Sequence, residues 1–97
     1  MSESASATEP LRAHPRCLLT ELDDGTGVVL NLDTKFYFTL NATAIVLWKA
    51  LSSGPRTRSE LVDSLVQEFD VAAEEASSDV ALLVDELVAE GLVERAG

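Results

Sequence analysis

The stretch Lys35–Trp48, KFYFTLNATAIVLW, constrains this chain more than any other, because its apolar period changes from two to three-and-four across a single Asn. Lys35–Leu40 alternates as a half-buried strand does. Phe36, Phe38 and Leu40 share one face and are expected inward, while Lys35, Tyr37 and Thr39 share the other and would contribute mainly backbone. Asn41 stands at a helix N-cap, where its side-chain oxygen can accept from a free N–H of the first turn. Ala42–Ser52 then carries Ile45, Trp48 and Leu51, with Ala44 and Leu47 beside them, on the stripe of a core helix. Trp48 is read as a buried anchor rather than a ligand platform. A strand that runs through one residue into a core helix calls for an α+β fold.

The flanks supply the other elements. Met1 to Pro15 is small, polar and Pro-punctuated, which predicts an unstructured lead-in, and its His14, alone of its kind, has no companions for a metal site. Arg16–Leu22 reads as a first strand and Asp23–Gly27 as a turn. Val28–Leu32 alternates with Val28, Leu30 and Leu32 on one face, and Asp33-Thr34 makes a tight reversal into Lys35–Leu40, giving an antiparallel meander. Cys17 is read as a small apolar residue, since a catalytic thiol wants a His or basic neighbour. Ser53-Gly54-Pro55 ends the first helix, with Gly54 suited to a left-handed cap. Thr57-Arg58-Ser59-Glu60 is a capping box, and Leu61, Leu65 and Phe69, flanked by Val62 and Val66, carry its helix to about Asp70. A last helix starts near Ala73 behind a poor cap, Ala72, with Glu74 and Glu75 favouring the positive end of its dipole. Its central stripe is Ala76, Val80, Leu83 and Leu87, widened by Val84 and Val88, and Asp79 and Glu86 flank one side with Leu82 between them. Gly91 stops it, and Leu92-Val93-Glu94 turns back as a short extended end.

Three strands followed by three helices is the order of a small winged helix-turn-helix, whose last helix enters the major groove when it reads DNA. Charge opposes that use: 17 acidic residues against 7 basic ones leave −10, and the last helix has no Lys or Arg. Such a chain repels phosphates, so no nucleic-acid partner is expected, although a winged-helix transcriptional regulator remains the alternative reading. No apolar run approaches the ~20 residues that span a bilayer, so no membrane association is expected. The N-terminus lacks the basic and apolar regions of a signal peptide, and with one Cys the expected location is cytoplasmic. No iron–sulfur cysteine cluster, phosphate loop or nucleophile–base pair is present, so neither catalysis nor a cofactor is expected.

The ordered combination Leu40-Asn41-x-Thr43-Ala44-x-x-x-Trp48, Gly54, Thr57…Glu60-Leu61, Phe69-Asp70-Val71 and DVALLVDELVAEGLV (Asp79–Val93) resembles the PqqD-like family, also called the RiPP precursor peptide recognition element. The resemblance covers Leu18 to Val93 and implies a domain from residue 16 to 97. It implies a non-catalytic peptide chaperone that binds the leader of a ribosomally made precursor and delivers it to a modifying enzyme, such as a radical SAM protein or a leader peptidase. The product could be PQQ, a lasso peptide or another modified peptide. In the family the leader docks as an added strand on the third strand, in a groove formed with the last helix. Carried onto this sequence, the strand side is Lys35, Phe36, Tyr37, Phe38, Thr39 and Leu40, and the helix side is Asp79, Leu82, Leu83 and Glu86. Leu82 and Leu83 would give apolar contact and Asp79 and Glu86 would hold a Lys or Arg of the leader. The sequence equally allows Leu83 to be core and the two carboxylates a solvated face, and it leaves a homodimer open.

Overall fold

The computed structural model describes residues 9–96. Strand β1 (Leu11–Ala13) is followed by the meander β2 (Cys17–Glu21), β3 (Gly27–Asn31) and β4 (Tyr37–Leu40). Helices α1 (Ala42–Ser53), α2 (Arg58–Phe69) and α3 (Ala73–Ala89) come next, and β5 (Val93–Arg95) closes the chain. The expected three-stranded antiparallel sheet followed by three helices is therefore present, in the order β2-β3-β4, with a two-stranded β1–β5 sheet added to it.

Local chemistry sets the helix starts as the sequence predicted. The Asn41 carboxamide oxygen accepts from the Ala44 N–H at 2.9 Å. At Thr57 both halves of the capping box form, while Ala72 makes no side-chain cap bond. The end of α3 turns on Gly91, whose φ of 77° puts it in the left-handed region. There the Gly91 N–H donates to the Val88 carbonyl and the Leu92 N–H to the Leu87 carbonyl, a Schellman closure that drops Leu92 into the core and aims β5 at β1. Gly54 ends α1 in an extended rather than a left-handed conformation (φ 157°, ψ 169°).

One side of the sheet meets the helices. Val29 and Leu40 pack there with Leu47, Trp48 and Leu51 of α1, Leu61 and Leu65 of α2, and Val80, Val84 and Leu87 of α3. Gly27 permits the approach of α1, since a Cβ there would stand 2.9 Å from the Leu19 side chain and 3.2 Å from that of Ile45. On α3 the buried stripe is Ala76, Val80, Val84 and Leu87, and Leu83, expected in the central stripe, is half-buried at its margin.

The extent of the lead-in, the tight reversal and the inward Phe36 fail for identifiable reasons, and the face of β3 left open by the sequence is settled. The lead-in predicted to reach Pro15 ends sooner: residues 1–8 lie outside the described residues, but Leu11 is buried and β1 pairs with β5, reinforced by an Arg12–Glu94 ion pair. The reversal before β4 is not a two-residue turn. Asn31, buried in the sheet, accepts from the Asp33 and Thr34 N–H groups through its side chain, at 2.8 and 3.1 Å, and from the Lys35 N–H through its carbonyl. That loop holds Lys35 at φ 69° and delays β4 until Tyr37, leaving Phe36 75% exposed where an inward core residue was expected. On β3 the buried positions are Gly27, Val29 and Asn31, so the face shared by Val28, Leu30 and Leu32 is the one turned from the helices.

Candidate functional site

Strand β4 is an edge: among the described residues it pairs with β3 alone. The ladder shows which of its backbone groups are spent. The Asn31 N–H donates to the Phe36 carbonyl, and on the other side of β3 the Leu32 N–H donates to the Arg16 carbonyl. Hydrogen-bonded and non-bonded pairs alternate along an antiparallel ladder. With Val29 opposite Phe38 and Gly27 opposite Leu40, Phe36, Phe38 and Leu40 turn their N–H and C=O groups to β3. Tyr37 and Thr39, opposite Leu30 and Val28, turn theirs to the open margin. Both are exposed, Tyr37 by 70%.

At the end of this margin, where β4 passes through Asn41 into α1, lies a groove of about 360 Å³ lined by Asn41, Thr43, Asp79, Leu82, Leu83 and Glu86. The helical step explains why four residues of α3 meet there. At 100° per residue, Leu82, Glu86, Asp79 and Leu83 occupy one arc beside the buried stripe Ala76, Val80, Val84 and Leu87. Leu82 is 69% exposed and, with the half-buried Leu83, supplies the apolar part of the groove. Asp79 and Glu86, two turns or about 10.5 Å apart along the axis, flank the leucines, and neither carboxylate joins an ion pair among the described residues. The wall therefore offers an apolar floor and two uncompensated acceptors.

Of the residues expected at the site, Asp79, Leu82, Leu83 and Glu86 surround this one groove. Lys35–Leu40 adjoin it through Asn41, but their contributions differ. Leu40 is a core side chain, Phe38 is half-buried against the core, Lys35 and Phe36 belong to the loop, and Tyr37 and Thr39 carry the open backbone groups. Asn41 and Thr43 complete the groove and had no role in it by sequence. Asn41 had been assigned only to its cap, and its position directly after an edge strand was the available signal. Two ionisable groups elsewhere are shifted. Burial pushes the Cys17 thiol up, with Asp33 and Glu94 adding to it, and hydrogen bonds from Thr26 hold the exposed Asp24 carboxyl below its ordinary value. Among the described residues no cluster of His, Cys, Asp and Glu is set to hold a metal, and no helix is long and apolar enough to cross a membrane.

An α+β domain with three helices on one side of a three-stranded meander, one strand edge open and a groove beside its last helix, is a small winged-helix frame. The family model for coenzyme PQQ synthesis protein D (PqqD) matches residues 26–93, and the chain belongs to that family. Three solved structures share the fold. TbiB1 in complex with the TbiA(beta) leader peptide is 25% identical with a TM-score of 0.74, over 86% of this chain and 94% of that one. A lasso peptide synthetase B1 complexed with its leader peptide is 27% identical with a TM-score of 0.71, over 87% and 96%. The PqqD truncation of Methylobacterium extorquens PqqCD, a stand-alone RiPP recognition element, is 22% identical with a TM-score of 0.75, over 93% and 94%. The comparison with curated proteins gave no match.

Proposed function

We propose that this protein is a non-catalytic adaptor that binds the leader segment of a ribosomally made precursor peptide by strand addition along β4 and holds it for a modifying enzyme. The observation that carries this reading is the unpaired margin of Tyr37 and Thr39 beside the groove lined by Asp79, Leu82, Leu83 and Glu86. The leader peptides bound by TbiB1 and by the lasso peptide synthetase B1 support it. The enzyme served would be a radical SAM protein or a leader peptidase.

The division of labour follows from magnitudes. The N–H and C=O groups of Tyr37 and Thr39 offer four backbone bonds, each worth about 0.5–1.5 kcal/mol net. Ordering a peptide strand and losing its free motion costs at least as much, so backbone pairing alone gives weak, sequence-blind binding. An apolar leader side chain buried on Leu82 and Leu83 would add about 1.5–3 kcal/mol and is the discriminating contact. A Lys or Arg next to it, reaching Asp79 or Glu86, would steer encounter and fix register.

Titration of the isotope-labelled protein with a synthetic leader from its cognate precursor tests the site. Saturable shifts should centre on the amides of Tyr37, Thr39 and Asp79–Glu86. Saturable binding that leaves those amides unmoved would reject it.

A further inference from the structure

Among the described residues no element covers the face of the β2–β3–β4 sheet turned from the helices. Leu18, Leu30 and Tyr37 form one cross-strand row on it, and Thr20, Val28 and Thr39 form the next. Leu22, just after β2, extends that strand's contribution, and both Leu18 (56%) and Leu22 (46%) are well exposed. An antiparallel sheet with one open face ordinarily sets polar, often charged, residues on it. Here neither row contains a charge, in a chain whose charged fraction is 25%. An uncharged apolar surface across three strands marks a contact that the isolated domain does not make.

Its borders are polarised. Asp23 and Asp24, in the β2–β3 turn, have no ion-pair partner among the described residues. At the other end Arg16 is paired with Asp33, and Lys35 stands exposed. The surface also runs into the proposed leader site, because Tyr37 and Thr39 place their side chains on this face and their open backbone groups on the margin beside it. A leader strand added to β4 would continue the face and turn every second side chain onto the same side. A second copy is a poor occupant, since it brings another ten negative charges.

We propose that this bare face is the docking surface of the modifying enzyme, which meets it with an apolar patch bordered by Lys or Arg where it faces Asp23 and Asp24. The inference rests on the adaptor reading. The enzyme would then touch adaptor and leader together, and adaptor would present leader by position rather than by release.

The test uses the purified processing enzyme encoded beside the cognate precursor, titrated onto the full-length protein saturated with synthetic leader. Leu18→Lys with Leu22→Lys should bind leader within twofold of wild type, because neither residue is near β4, yet lose at least tenfold in affinity for the enzyme. Asp23→Lys should weaken the enzyme complex and flatten its salt dependence. If the double variant melts early, Thr20→Arg places bulk and charge on the β2 side of the same face, between Leu18 and Leu22, without disturbing the core. Unchanged enzyme affinity in a folded variant would overturn the assignment. So would a wild-type dimer, seen by sedimentation, that these substitutions dissolve, for then the face belongs to a second copy. Failure of the wild-type protein to bind leader at all is a separate result and removes the adaptor reading itself.

Discussion

Proline placed at alternate positions of β4 separates the margin from the ladder. Thr39 lies opposite Val28 in a non-hydrogen-bonded pair, so its N–H is one that β3 does not use. Thr39→Pro deletes that donor and puts a ring carbon where a neighbouring strand would approach, while an edge strand tolerates the ring if the missing N–H faced outward. Fixing φ should cost the fold no more than about 1 kcal/mol, a melting shift of roughly 4–8 °C for a domain of this size. Leader binding loses one bond worth about 0.5–1.5 kcal/mol and the close approach of the strand around it. The combined loss should reach at least ~1.4 kcal/mol, tenfold in Kd. Phe38→Pro is the opposite case. Its N–H faces β3 opposite Val29 and its ring packs on the core, so this variant should lose at least ~3 kcal/mol of stability. Anisotropy of a fluorescein-labelled leader and thermal melts of both proteins give the comparison. A folded Thr39→Pro protein that binds leader as tightly as wild type would mean that the peptide does not add to β4.

Asp79→Asn combined with Glu86→Gln should weaken a leader carrying Lys or Arg by about 2- to 30-fold, at ~0.2–1 kcal/mol per exposed pair, and reduce the salt dependence of its Kd. Asn31→Ala removes the acceptor that closes the loop before β4 and should cost about 1–3 kcal/mol in urea unfolding. The Asp24 carboxyl is held low by the Thr26 hydroxyl and N–H, so its contribution to stability is present above the ordinary carboxylate range and is lost as pH falls through its depressed value. Carbon-detected titration should find Asp24 ionising below the ordinary carboxylate value, and Thr26→Ala, which removes the hydroxyl but keeps the N–H, should move it part of the way back. The Cys17 thiol, raised by burial and then by Asp33 and Glu94, disfavours the thiolate, so stability should decline as pH rises through and past an ordinary thiol's value. Iodoacetamide at pH 8 should label Cys17 far more slowly in the folded protein than in urea.

What was legible in the sequence was what its neighbours decide. The caps at Asn41 and Thr57 depend on side chains three residues away at most, and both formed where the sequence placed them. The arc of Asp79, Leu82, Leu83 and Glu86 followed from helical geometry, which a periodic pattern carries intact. Period-two counting failed at Phe36 because the alternation continues through Lys35 and Phe36 whether or not the backbone does. The event that delays β4 is the burial of Asn31, four residues before Lys35, and its side-chain bonds into the loop. The β1–β5 pair was out of reach for a different reason: Arg12 and Glu94 are 82 positions apart, and three-residue strands have no periodicity of their own to read. Leu83 and Val84 differ by one helical step, and only the direction from which α2 and the sheet approach α3 decides which is innermost.

In a winged-helix frame, charge on the last helix bears on which polymer can be bound. A winged-helix reader needs cations on its last helix to neutralise phosphates, and each missing contact removes a share of the salt-dependent affinity. Helix α3 holds five acidic residues, with a sixth, Glu90, at its C-cap, and no basic one, a charge that opposes a duplex. That charge is tolerable only for a ligand whose affinity does not depend on phosphate pairing. On the proposed reading an extended peptide meets the condition: it would bond through its backbone at Tyr37 and Thr39, bury side chains on Leu82 and Leu83, and find Asp79 and Glu86 attractive if it carries a cation. On that reading the acidic helix would both oppose a duplex and favour a cationic leader, and neither effect requires a change in the fold.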